Sequence, residues 1–313
     1  MDTPIHVPES LIQATTKMRG EAGVDWLRRL PALIADMEHR WSLSVGSPFP
    51  GIWANWVAPA TLADGTPAVL KISFPRDKEF GTEAEALRVF DGRGICRRIR
   101  LNRERDAMLL ERCEPGAPLT TVKDDEEATS IAASVLRRLW RPAPPEHSFP
   151  LVSDWARGFD RLRRRHDGGT GPMPAALVER AESLFADLIP SQAEPVLLHG
   201  DFHHENVLSA EREPWLAIDP KGVVGEPTYD AATLLREPPE LAHDPNAGRI
   251  LERRLDHLSG ELGLDRERLR GWALAQSVLA AYWSLEDGGE VWDEALVFAR
   301  LLSDIRASRT ESG

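Results

Sequence analysis

The reading of this chain turns on Val196-Leu-Leu-His199-Gly-Asp201-Phe-His203-His204-Glu-Asn206-Val-Leu208, followed by Trp215-Leu-Ala-Ile-Asp219-Pro220. It has the form of a short apolar strand, the spacing His-x-Asp-x-x-x-x-Asn, a second apolar strand, and a third that ends on an acid. An aspartate or asparagine alone is most often a turn or cap residue, because its short side chain bonds nearby backbone. Three such groups at this spacing, each at the end of an apolar run, are much harder to obtain from turns alone.

Phosphoryl transfer asks for this set. It needs an acceptor oriented in line and divalent metal bridging the phosphate oxygens. Asp201 suits a carboxylate that orients a hydroxyl and takes its proton. The five-residue step to Asn206 is long enough to turn a loop back to the same place. Asp219 closes the next hairpin, so an amide oxygen and a second carboxylate stand ready for Mg2+, a hard ion that prefers oxygen. His199 reads as a brace for the backbone around Asp201. His203 and His204 raise a zinc alternative, but no H-E-x-x-H is present and Cys96 and Cys113 are remote in sequence.

A kinase then predicts a lysine on an earlier strand and a helical glutamate after it. Ala68-Val69-Leu70-Lys71-Ile72 supplies a lone lysine in an apolar strand, although a strand lysine can simply snorkel outward. Glu79, Glu83 and Glu85 compete for the second role. Glu83 shares a helical face with Leu87 and Phe90, which points it inward and favours it.

Around these motifs the chain divides by character. Trp26, Leu30, Ile34, Met37 and Trp41 give residues 21–41 a helical period, and Pro31 predicts two short helices or a kink there. Residues 52–62 and 67–73 flank Ala63-Asp64-Gly65-Thr66, a hairpin signal. Residues 79–90 read as helix and 106–112 as a buried strand. Glu114-Pro115-Gly116-Ala117-Pro118 is a sharp break, beyond which helical stripes dominate: Ala128 to Leu139, Leu177 to Leu188, Leu251 to Leu262, and residues 272–285. Short strands are expected at Val196 to Leu198 and Trp215 to Ile218, and loops at 141–150 and 167–174. The organisation is α+β, with a β-rich N-terminal portion over 1–113 and a mostly helical one over 114–313.

The 313 residues carry a formal charge of −12, with 50 acidic against 38 basic side chains. That balance gives no support to a nucleic-acid surface and would suit a cationic ligand, although a solvated acidic surface also accounts for it. No stretch approaches the ~20 apolar residues that span a bilayer. Met1 to Ser10 has no basic segment leading into an apolar run, and two cysteines make no disulfide framework. A cytoplasmic protein with no membrane and no obligate protein partner is expected.

With these residues in hand, the chain resembles the aminoglycoside phosphotransferase family, in its streptomycin 6-kinase and hydroxyurea phosphotransferase branch. The resemblance rests on Leu197 to Leu208 and on Glu213-Pro-Trp-Leu-Ala-Ile-Asp-Pro-Lys-Gly-Val-Val-Gly-Glu-Pro-Thr-Tyr-Asp-Ala-Ala232. Weaker similarity runs from His6-Val-Pro through Met108-Leu-Leu-Glu-Arg-Cys113. It implies a bilobal, protein-kinase-like fold with ATP in the cleft. Asp201 would be the base, Asn206 and Asp219 the magnesium ligands, and Lys71 with Glu83 would set the ATP phosphates. Glu111-Arg112-Cys113 would be the hinge whose backbone bonds adenine. Two departures stand out. The loop Ser44-Val-Gly-Ser-Pro-Phe-Pro-Gly-Ile-Trp53 is not G-x-G-x-x-G, and Asp219 is followed by Pro220 rather than Phe-Gly.

The acceptor implied by the resemblance is a small hydroxylated molecule, streptomycin at its 6-hydroxyl first, a hydroxyurea-like or other small metabolite second. A nucleotide-binding sensor without turnover is a reading from another class. Streptomycin carries two guanidinium groups, so carboxylates near Asp201 are expected. Glu226, Asp230, Glu237, Glu240, Asp244, Glu286 and Asp287 are the acids C-terminal to the metal ligand considered for this. Asp230 suits a helix cap as well as a ligand. Trp283 and Glu286, three apart on a helix, could present a ring and a charge together, although such a tryptophan more often packs in a core. His203 completes the acceptor-side set.

Overall fold

The computed structural model describes residues 7–52 and 54–305. His6 and Trp53 lie outside the described residues. The chain forms two compact units, Met1–Gly116 and Ala117–Gly313.

In the first unit, helix α1 spans Glu9–Trp41 and precedes a five-stranded antiparallel sheet. The strands are β1 (Leu43–Val45), β2 (Trp56–Leu62), β3 (Pro67–Ile72), β4 (Arg98–Asn102) and β5 (Ala107–Glu111), in the order β1-β2-β3-β5-β4. The break expected at Pro31 is at Gly20 instead, where φ is 56° and ψ is −135°. Glycine reaches that region without a Cβ clash. Pro31 lies within the helix. An interior proline costs about 3 kcal/mol, and here burial of Trp26, Leu30, Ile34 and Met37 against Trp56, Leu70 and Leu109 opposes that cost. The expected hairpin forms, with the Thr66 N–H on Asp64 Oδ1 at 2.9 Å. Helix α2 (Lys78–Phe90) is capped by the Asp77 side chain and buries Phe80, Glu83, Ala84, Leu87 and Phe90.

Strand β6 (Pro115–Pro118) carries the chain onward. The second unit holds helices α3 (Asp125–Leu139), α4 (Val152–Arg165), α5 (Ala175–Leu188), α6 (Pro227–Ala232), α7 (Ala247–Leu262), α8 (Arg266–Gly288) and α9 (Asp293–Asp304). Between α5 and α6 run four short strands: β7 (Val196–Leu198), β8 (Val207–Ala210), β9 (Trp215–Ala217) and β10 (Val223–Gly225). Helix α8 is the centre of this unit. Every residue from Trp272 to Tyr282 is buried, and α4, α5, α6, α7 and α9 all pack on it. That all-round burial matches its lack of a polar face. Antiparallel pairing of β7 with β10 and of β8 with β9 leaves the loop 199–206 and the turn 218–222 at strand ends.

Candidate active site

Lys71 and Glu83 meet in the first unit. Lys71, one residue before the end of β3, donates to Glu83 Oε1 of α2 at 2.7 Å, with each side chain 6% exposed. Burial of the pair selects Glu83 over its competitors: Glu85 accepts from Arg88 on the outer face, and Glu79 sits in the helix's first turn. Of the expected hinge residues, Glu111 is bound into the sheet. Its N–H donates to the Arg97 carbonyl and its carboxylate accepts from the Arg97 N–H, both at 2.8 Å. Cys113 is buried, and Arg112 pairs with Glu114 at 3.4 Å.

In the second unit the loop after β7 is fixed almost entirely by its own backbone and by side chains aimed at that backbone. His199 is fully buried. Its Nε2 donates to the Ile218 carbonyl at 2.8 Å, and its Nδ1 accepts from the Asp201 N–H at 3.2 Å. These two bonds require the neutral ring, and burial lowers its pKa accordingly. The expected brace is therefore present. Gly200 has φ of 85°, and a Cβ there would lie 2.8 Å from the Trp155 ring, so only glycine fits.

Asn206 joins the two halves of the motif. Its carbonyl accepts from the Ile218 N–H at 2.9 Å, which sets Asp219 beside it. The next residues are tied back as well, with Lys221 N–H on the His199 carbonyl at 2.8 Å. Asp219 itself takes a left-handed φ of 58°, rare outside glycine. The Asn206 amide donates through Nδ2 to the Asp201 carbonyl and to His203 Nε2, both at 3.0 Å. Both bonds use the nitrogen, so Oδ1 is left as an acceptor. A hard divalent cation fits an amide and a carboxylate oxygen placed in this way. His203 lies 3.8 Å from Asp201 Oδ2. With His203 Nε2 engaged by Asn206, and no group of three or more His, Cys, Asp or Glu arranged for a metal among the described residues, the zinc reading finds no ligand set.

Asp230 is neither a helix cap nor an acceptor ligand. Its carboxylate is fully buried and accepts from the His199 and Gly200 N–H groups, each at 2.8 Å, and from Trp140 Nε1 at 3.3 Å. Burial raises its pKa and the donors oppose the rise. It clamps the loop from beneath, and sequence pattern gave no sign of that role because its partners are backbone groups 30 and 31 residues away.

Other acceptor-side expectations change too. Glu286 is neutralised by Arg161 in a two-pronged pair at 2.7 and 2.9 Å and also accepts from the Tyr282 hydroxyl. Glu226 is buried on Arg268 and Trp272. Trp283 is half-buried, edge-on to Trp155, whose ring covers Gly200. The acids that do gather are Glu237, Glu240 and Asp244. Together with His203 and Glu205 they line a cavity of about 790 Å³ within the second unit.

This architecture is that of small-molecule kinases. Choline kinase LicA from Streptococcus pneumoniae superimposes with a TM-score of 0.60 over 87% of this chain and 99% of that one, at 15% identity, a likeness of fold alone. In sequence, streptomycin 6-kinase from Streptomyces griseus is 37% identical over 292 residues, 91% of this chain and 92% of the relative. Hydroxyurea phosphotransferase from Kitasatospora aureofaciens is 34% identical over 293 residues, 91% of this chain and 82% of the relative. The aminoglycoside/hydroxyurea antibiotic resistance kinase family matches residues 40–288, and the chain belongs to it. The expected α+β, protein-kinase-like fold and ATP-dependent phosphotransferase activity are borne out. Among the described residues no helix is long and apolar enough to cross a membrane.

Proposed function

We propose that this protein transfers the γ-phosphate of ATP to a hydroxyl of a cationic aminocyclitol, streptomycin at its 6-hydroxyl first, and so inactivates it. The observation that carries the reading is the gathering of Asp201, Asn206 and Asp219 by one bonded loop in the second unit. Asp201 orients the acceptor hydroxyl and takes its proton. Asn206 Oδ1 and the Asp219 carboxylate would hold Mg2+, which would offset the charge of the transferred phosphate. Lys71, kept in place by Glu83, binds ATP phosphates, and the segment Glu111-Arg112-Cys113 serves adenine through its main chain. Residues 1–113 form the nucleotide lobe and 114–313 the catalytic and acceptor lobe. Because the donor is ATP, the cytoplasm is the site of action.

The aminocyclitol reading is supported by two streptomycin 6-kinase relatives at 37% and 33% identity and by the acid-lined cavity. A hydroxyurea-like acceptor has the 34% identical hydroxyurea phosphotransferase in its favour, but a neutral acceptor has no use for those acids. Purified protein with Mg-ATP should release ADP and form phosphorylated streptomycin. Silence across aminocyclitols and small hydroxylated amides would sink the proposal, and ATP binding without transfer would favour a sensor.

A further inference from the structure

Helix α1, ahead of the sheet in the first unit, is not one straight rod. Eight residues of unbroken α-helix separate two positions by about 12 Å. Yet a Cβ on Gly23 would lie 2.6 Å from the Thr15 carbonyl oxygen, because the backbone turns at Gly20. Residues 9–19 therefore fold back against residues 21–41. Leu11, fully buried, and Thr15, 5% exposed, hold them there.

Both parts of α1 reach the loop between β1 and β2. At the loop's entry, Glu38 Oε1 accepts from the Val45 N–H at 2.9 Å, in a part-buried bond. At its exit, the Ser10 hydroxyl donates to the Ile52 carbonyl at 2.7 Å. Between these ties the loop leans on β2. The Gly46 N–H donates to the Pro59 carbonyl at 2.8 Å, and the Phe49 N–H to the Val57 carbonyl at 3.0 Å. Val57 stands opposite Lys71 in the sheet, so the loop is fastened beside that lysine's strand position. Pro48 and Pro50 stiffen it further, each with φ fixed by its ring. A third contact of α1 runs to the helix that carries Glu83. Arg19 pairs with Asp77, the N-cap of α2, at 3.3 Å, and its guanidinium lies 5.0 Å from the Phe74 ring centre. Ile52 and Phe74 pack against the same core as Leu11 and Trp26. An exposed pair such as Arg19–Asp77 is worth little by itself. Here three contacts from one helix end on the two elements that flank the Lys71–Glu83 pair.

We propose that α1 is a brace for the nucleotide, with Glu38, Ser10 and Arg19 as positioning residues. It fixes the loop 46–52 and the start of α2 relative to Lys71 before ATP arrives, so that binding spends little on ordering the loop. This rests on the reading of residues 1–113 as the nucleotide lobe. The departure from G-x-G-x-x-G then has a physical reason. A loop held from outside in one conformation gains from proline, which narrows the unfolded ensemble, and has less use for glycine's freedom.

The test is Mg-ATP titration and steady-state kinetics on the full chain, in Glu38→Ala, Glu38→Gln, Ser10→Ala and Arg19→Ala. Arg28→Ala is the control, since Arg28 pairs with Asp25 on the exposed face of the same helix. Glu38→Ala should raise Kd and KM for ATP about 10-fold and leave kcat and the streptomycin KM within about twofold. Glu38→Gln keeps an oxygen for the Val45 N–H and should recover most of the affinity. Ser10→Ala and Arg19→Ala should each weaken ATP about 2- to 5-fold, and Arg28→Ala should leave all of these values in place. Unchanged ATP affinity in Glu38→Ala, or an equal loss in Arg28→Ala, would make α1 a fold element alone and overturn the proposal. Should Glu38→Ala fail to fold, Ser10→Ala and Arg19→Ala, at exposed positions, decide the matter by the same reading. If wild type binds Mg-ATP but phosphorylates no aminocyclitol, the proposed acceptor fails while the titration still reads the brace. If wild type binds no ATP, the brace falls as well.

Discussion

Two carboxylates of the second unit stand in unlike burial and opposite circumstances. Asp230, fully buried beneath the catalytic loop, accepts from three N–H donors. Glu237, part-buried in the wall of the acid-lined cavity, accepts at its carboxylate from none of the described residues. The first fixes geometry: its donors are the backbone of His199 and Gly200, so the residues entering Asp201 have one place to be. The second fixes nothing until a donor arrives. A site that must hold ATP phosphate and a metal in line needs rigidity around the base.

That contrast can be broken in order of expected effect. Asp201→Ala removes the proposed base and should lower kcat about 10²–10⁴-fold with little change in ATP affinity, read by coupled ADP release and nucleotide titration. A collapse of ATP binding with the fold intact would reassign its role. Asp230→Ala should orphan the two loop N–H groups, each costing about 1–3 kcal/mol. Chemical denaturation should show the stability loss, and kcat should fall with it although the residue touches no substrate.

Glu237→Gln should move stability the other way. In the unfolded chain this carboxyl ionises in the ordinary glutamate range, and in the folded protein burial holds its proton until about 7. The native state therefore binds more protons between those values, so its stability falls as pH rises through that window. Replacing the group removes up to about 3 kcal/mol of that penalty. The melting temperature of Glu237→Gln should exceed wild type at about pH 8 and match it near pH 4. Equal curves at both pH values would mean that Glu237 is hydrated like any surface acid. The smallest effect belongs to the part-exposed Arg161–Glu286 pair, where Glu286→Gln should cost no more than about 1 kcal/mol. It should also leave the streptomycin KM in place, since that charge is already answered.

What was legible in the sequence was local. The hairpin at 62–67, the inward face of α2 and the strand–loop–strand from 196 to 219 follow from periodicity and turn residues within a dozen positions. Short or charged elements were not. Helix α4 carries Arg161, Arg163, Arg164 and Arg165 beside a narrow apolar stripe, and β4 is an arginine-rich edge strand. Both carry their pattern in short form, Ile99 and Leu101 alternating with polar residues and Val152, Trp155, Phe159 and Leu162 at helical spacing, and the arginines among them obscure it. Pro31 drew the kink away from Gly20 because a proline's penalty is visible in sequence, whereas the core that offsets it is not. Trp283 and Glu286 had the right spacing to act together, yet Arg161, 125 residues away, had already taken the charge.

The sequence by itself determined the chemistry. Aspartate, asparagine and aspartate at fixed steps between apolar strands admit few reactions, because the short loops leave their side chains few directions in which to point. Only the tertiary structure decided which acids remain available. Asp230, Glu226 and Glu286 are answered by donors from distant elements, and Glu237 is not. Whether a carboxylate is a clamp, an ion-pair partner or a ligand depends on who else is desolvated beside it, and that is a property of packing.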